Sequence, residues 1–149
     1  MIGETDDNRY MDMALAEARA AAREGEIPVG AVIVSDRGRV IASAHNMTQT
    51  LNDVTAHAEM FAITQAAHTL GGKYLKDCTL YVTVEPCPMC AGALGWSQIS
   101  RIVVGCDDQK RGYHTIMASS PFHPKTVLTW GVREAECRQL MVDFFKKLR

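Results

Sequence analysis

Two short motifs hold the residues best suited to chemistry: His57-Ala58-Glu59 and Pro86-Cys87-Pro88-Met89-Cys90. Cys87 and Cys90 stand at i and i+3, so both sulfurs project from one face of a helical turn. A helix N-terminus carries partial positive charge and favours thiolates there. Two thiolates and the imidazole of His57 form a soft-to-borderline donor set that suits Zn2+. A three-ligand site leaves a fourth position open for water. A closed structural site would want a fourth Cys or His at similar spacing. Cys78, Cys106 and Cys137 fall at a strand start, a strand end and a helix face, and do not offer one. An open zinc site lowers the pKa of bound water toward about 7 and makes hydroxide available. Glu59 lies roughly 200° round a helix from His57, so the two side chains cannot point identically. From a first helical turn Glu59 can still take the water's proton and pass it to a leaving nitrogen. The expected site is therefore hydrolytic, with His57, Cys87 and Cys90 as ligands and Glu59 as proton shuttle. A C-x-x-C pair alone also fits a redox couple or a structural zinc; the His57/Glu59 pattern weighs against both.

The elements that must carry these motifs follow from periodicity. Tyr10, Met13, Ala14, Ala18 and Ala21 recur at helical spacing, which predicts a helix from about Asn8, as its cap, to Arg23. Gly25 and Pro28 punctuate its end. Val29 to Val34 reads as a buried strand, Asp36-Arg37-Gly38-Arg39 as a turn and Val40 to Ala44 as the returning strand of a hairpin. A polar loop from His45 to Val54 leads to a second helix, from Thr55 or Ala56 to Leu70, stopped by Gly71-Gly72. Asp53 caps or braces that helix.

Leu80 to Val84 is a third strand. Pro88 reads as the first position of a third helix reaching Trp96, with Cys87 at its cap. Strands at Ile102 to Val104 and Thr126 to Trp130 flank a stretch, 106–125, long enough to be functional or to hide a short helix. The last helix spans Val132 to Leu148, with Cys137, Leu140, Met141, Phe144 and Leu148 on one face and Phe145 off it. Alternating strands and helices imply parallel pairing with right-handed crossovers. The expected fold class is α/β, a three-layer α/β/α sandwich around a five-stranded mixed sheet.

Composition bounds what the site can serve. The 149 residues make one domain, residues 1–149. Hydrophobic residues are 47% and charged residues 22%, ordinary for a globular chain and too apolar for disorder. The longest apolar run, Ile27 to Val34, is far shorter than the roughly 20 residues of a membrane span. The acidic start, Gly3 to Asn8, is unlike a signal peptide. An odd count of five cysteines then points to a reducing, cytoplasmic setting. Sixteen basic against 17 acidic residues give a net charge of -1, so any nucleic acid must be held by a local patch.

H-x-E followed by P-C-x-x-C resembles the signature of the zinc-dependent nucleobase deaminases of the cytidine/deoxycytidylate deaminase superfamily. Further blocks look like the bacterial tRNA-specific adenosine deaminases: Pro28-Val29-Gly30-Ala31-Val32, His45-Asn46, Thr55-Ala56-His57-Ala58-Glu59, Thr79 to Cys87, Met89-Cys90-Ala91-Gly92-Ala93, and Arg101 to Gly105 followed by Asp108. The likeness covers about residues 8–148 and implies a cytidine deaminase-like fold with one Zn2+ per chain. It implies attack of hydroxide on the ring carbon bearing the amino group, with Glu59 protonating the ring nitrogen and then the departing amine. By the same resemblance, Asn46 hydrogen-bonds the purine, the Ala58 backbone meets the base edge, Val29 lines the pocket and Asp108 lies near the sugar-phosphate. The implied substrate is the wobble adenosine of a tRNA anticodon loop, converted to inosine by a homodimer. Phe145 is a further candidate for partner or substrate contact.

Two stretches depart from the family pattern. Gln109-Lys110-Arg111-Gly112-Tyr113-His114 is bulkier and more basic than the usual Gly/Ala-rich segment, and Lys146, Lys147 and Arg149 are the only basic end. The alternatives are therefore a deaminase of a free base or nucleoside, of guanine, cytosine or adenosine type, or a zinc-stabilised RNA-binding module without catalysis. Lys110, Arg111, Lys146 and Lys147 matter only where the fold gathers them near phosphates.

Overall fold

The structure, a computed structural model, describes residues 4–148. Gly3 of the acidic start and Arg149 of the basic end lie outside the described residues. The elements run α1 (Glu4–Arg23), β1 (Gly30–Val34), β2 (Val40–His45), α2 (Ala58–Leu70), β3 (Thr79–Val84), α3 (Pro88–Ser97), β4 (Arg101–Cys106), α4 (Tyr113–Ile116), β5 (Val127–Trp130) and α5 (Glu134–Lys147). The sheet order is β2-β1-β3-β4-β5. β1 pairs antiparallel with both β2 and β3, whereas β3–β4 and β4–β5 are parallel. The five-stranded mixed sheet is thus the one expected.

α1 packs on β1 and β3 and meets α5, which covers β4; α2 packs on β1 and β2 and meets α3. Helices on both faces explain why β1 and β3 are buried along their whole length and read as continuous apolar runs. The edge strands β2 and β5 keep exposed positions.

Local signals place the helix ends. Gly25 adopts φ 78°, and the pair Gly25 N–H to Ala22 C=O and Glu26 N–H to Ala21 C=O closes α1 as a Schellman motif. Gly71, at φ 73°, closes α2 with bonds to Ala67 and His68. α1 begins before Asn8, so Asn8 is inside the helix and not its cap. Its buried face is Tyr10, Met11, Ala14, Leu15, Ala18 and Ala21, while Met13 is exposed. The expected stripe includes Met13, whereas Met11 and Leu15 complete the face in the fold. Leu148, expected on the core face of α5, is instead 68% exposed, because it follows the last helical turn.

One close approach fixes α1 on the sheet. A Cβ at Gly30 would overlap the backbone carbonyl oxygen of Ala14, so the missing side chain lets α1 press its backbone directly onto β1. Behind it, Asp7 of α1 reaches Arg101 of β4 through two hydrogen bonds of 2.8 and 2.7 Å and accepts a third from the Tyr81 hydroxyl of β3 at 2.7 Å. Burial raises the Asp7 carboxyl, but these bonds and the Arg101 charge outweigh it and leave it below the usual range. This ion pair locks the face of the sheet opposite α2.

Candidate metal centre and active site

The chain entering α2 and the chain entering α3 meet at the ends of β1 and β3. His57 is the residue before α2 and has extended backbone, φ -86° and ψ 150°; Cys87 holds the same place before α3, at φ -71° and ψ 168°. This extended backbone resolves the angular objection. His57 does not obey helical spacing, so it and Glu59 can face one centre.

His57 Nδ1 lies 3.7 Å from Cys87 Sγ and 3.4 Å from Cys90 Sγ. Two ligands on a tetrahedral zinc, at about 2.3 Å for sulfur and 2.0–2.1 Å for nitrogen, are separated by about 3.6 Å. The observed spacings bracket that edge, and all three donor atoms lie within 4.8 Å of one another. The donor set and its spacing therefore fit Zn2+. Cys90 is buried, and His57 and Cys87 are partly exposed, which leaves one side of the cluster open.

Glu59 is 3% exposed. Burial pushes its carboxyl up to about 7. A group with that value gives and takes protons near neutral pH. Hydrogen bonding from Cys90, then from His57, brings the Cys87 thiol down to about 4, and the same bond with burial pushes Cys90 up. A bound cation reverses the push on Cys90, since a coordinating thiol is deprotonated outright.

Val29, Asn46 and Ala58 are stitched together beside the cluster. The Asn46 N–H donates to the Val29 carbonyl at 3.2 Å, and the Ala58 N–H donates to Asn46 Oδ1 at 2.8 Å. Asn46 thus also satisfies an orphan donor of the α2 N-terminus. The loop between them is pinned by Met47 N–H to Ala56 C=O at 2.9 Å. Asp53 braces it, accepting the Thr55 N–H at 2.8 Å and the Thr55 hydroxyl at 2.7 Å.

Asp108 turns its carboxylate back on its own loop, accepting the N–H groups of Lys110 and Arg111 at 3.0 Å each. Phe145, 40% exposed, packs edge-on against Phe144 near the end of α5, and none of its described contacts reaches the metal cluster. An open concavity of about 560 Å³, lined by Asp107, His114, Trp130 and Glu134 among others, lies beyond the Asp108 loop.

Two functional supports escaped the sequence reading, both buried glutamates. Glu26 is fully buried and accepts from the Gln49 N–H at 3.0 Å and from the Thr50 N–H and hydroxyl at 2.6 Å each, organising the loop after Asn46. Glu85, two residues before Cys87, does the same for the loop after β4. Each stands at the margin of an apolar strand and just ahead of a proline, Pro28 or Pro86. A charge in that position was the available signal.

Residues 4–106 match the family model for the cytidine and deoxycytidylate deaminase zinc-binding region. The chain belongs to this deaminase family. Zinc is the family's metal, and the three donors above fit it. A tRNA-specific adenosine deaminase of Bacillus subtilis (strain 168) is 42% identical over 149 residues, spanning 97% of this chain and 92% of the relative. A solved structure from studies of A-to-I editing by tRNA:A34 deaminases at the wobble position of transfer RNA superimposes with a TM-score of 0.82. It is 41% identical, and the match covers 89% of this chain and 98% of that one. A guanine deaminase from Bacillus subtilis is 42% identical but matches only 66% of this chain and 63% of its own, with a TM-score of 0.63.

Proposed function

We propose that this protein hydrolyses the wobble adenosine of a tRNA anticodon to inosine. The observation that carries this reading is likeness along nearly the whole chain to tRNA-specific adenosine deaminases. In the reaction water adds at C6 of adenine, the bond from C6 to the amino nitrogen breaks, and ammonia leaves. His57, Cys87 and Cys90 would hold the zinc, which would supply Lewis acidity and activate the attacking water. Glu59 carries one proton from the attacking water to the ring nitrogen and a second, from the hydroxyl then on C6, to the amine, so that the two protons taken up equal the two delivered. Its burial keeps bulk water from competing for them. Val29 and the Ala58 backbone line the base. Asn46 offers its amide NH2, because its Oδ1 is engaged by Ala58. Asp108 and Phe145 flank the rest of the nucleotide.

The same reading makes the whole chain one deaminase domain in a reducing cytoplasm, in keeping with cysteines that are all free thiols. It also makes the protein a homodimer. Met89 and Trp96, seven residues apart on α3, share a face, and Trp96 is 85% exposed. Val54, 84% exposed, and Leu51 add aliphatic surface at the tip of the Asn46 loop. No described helix is long and apolar enough to cross a membrane.

Deamination of a free base is the second reading, favoured by the 42% identity to a guanine deaminase within the matched part. A panel of anticodon stem-loop, adenosine, guanine and cytosine, assayed for ammonia, separates the two. Release from the stem-loop alone supports the tRNA reading, and release from guanine or cytosine alone overturns it.

A further inference from the structure

Glu85 is a buried charge that the chemistry above does not use. Its side chain has no exposure, and it stands between the last residue of β3 and Pro86-Cys87. A carboxylate in such a place costs several kcal/mol to desolvate unless its lone pairs are filled. Here they are filled from one source. Oε1 accepts the Asp108 N–H at 3.0 Å, while Oε2 accepts the His114 N–H at 2.9 Å and His114 Nδ1 at 2.6 Å. Around it, the Glu85 N–H donates to Cys106, and the Tyr113 N–H donates to Pro86, at 2.8 and 2.9 Å. Gly112 lays bare backbone on the carboxylate, where any Cβ would collide with it.

Everything held this way is the turn 108–114. Lys110 and Arg111 stand exposed on that turn, and neither makes an ion pair among the described residues.

We propose that Glu85 and His114 are positioning residues that clamp the 108–114 turn to the metal motif and so present Lys110 and Arg111 to the backbone of an RNA seated at the zinc site. The proposal rests on the tRNA reading for the identity of the ligand. His114 contributes a single side-chain donor, Nδ1, and the Nδ2 of an asparagine occupies nearly the same place. His114→Asn therefore keeps the clamp and His114→Ala opens it.

The test measures stem-loop binding in a Glu59→Ala background, where turnover is expected to be too slow to consume the ligand, and turnover in the wild-type background. His114→Ala is expected to weaken stem-loop binding about tenfold, the worth of one hydrogen bond to a charged group. The slope of log affinity against log salt should flatten by about 0.7 for each phosphate that Lys110 or Arg111 no longer reaches. KM for the stem-loop should rise with kcat and zinc content unchanged, the melting temperature should fall by a few degrees with the protein still folded at the assay temperature, and His114→Asn should restore affinity, salt slope and melting temperature together. Unchanged affinity and salt slope in His114→Ala, or a weakening that tracks melting temperature and is not rescued by asparagine, overturns the proposal. A wild-type enzyme that binds the stem-loop with this dependence on His114, yet yields no inosine, would refute the tRNA reading and leave the clamp standing.

Discussion

In the proposed reaction Glu59 carries the proton transfer, so its removal should separate chemistry from assembly. Glu59→Ala is expected to lower turnover about 10²- to 10⁴-fold, the usual worth of a positioned acid–base group. Zinc content, measured by metal analysis, should stay at about one per chain. Cys87→Ala should do the reverse at the first step and lose the metal, because two remaining donors do not make a stable site. The donor cluster of His57, Cys87 and Cys90 was legible in the sequence because its residue types are rare in combination and their spacing is short. The buried glutamates were not. Glu26 and Glu85 act through loop backbone N–H groups that come near only in three dimensions. The start of α2, expected at Thr55 or Ala56, lies at Ala58, so His57 stands just before the helix; the boundary is set by local hydrogen bonding that residue types do not show.

At the scale of elements, the contact of α1 with β1 depends on the missing side chain of Gly30. Gly30→Ala should cost about 1–3 kcal/mol through overpacking, read as a lower melting temperature. The Asp7–Arg101 pair gives a pH signature. The folded-state pKa of Asp7 is lowered, so its stabilisation is complete above the ordinary value of 3.8 and is lost as pH falls through the depressed one. The stability difference between wild type and Asp7→Asn, about 3 kcal/mol at neutral pH, should therefore stay flat above about pH 4 and shrink below it. Denaturant titrations across that range check it. Strands β1 and β3 and the ends of α1 and α2 were legible because burial on both faces and left-handed glycines write strong local signals. The phase of the α1 face was less so. A helix rich in alanine offers little contrast between its sides, and Met13 and Met11 differ only by what packs on them.

For the whole molecule, the exposed apolar face of α3 and the near-neutral charge set two expectations. The proposed homodimer predicts that wild type sediments as a dimer and Trp96→Glu as a monomer, since a charge placed in that apolar contact would be left unpaired. With a net charge of -1, any hold on RNA must come from local groups such as those on the 108–114 turn. The substrate is the property that neither composition nor motif spacing could fix, because the metal chemistry is common to the superfamily and the distinguishing contacts lie on loops. The most direct test is to incubate the zinc-loaded wild-type protein with an anticodon stem-loop that carries adenosine at the wobble position and at a neighbouring position, and to map inosine by mass spectrometry. Inosine at the wobble position alone, with one ammonia released per inosine, is the predicted result. An unmodified stem-loop in the presence of enzyme that deaminates a free base would contradict it.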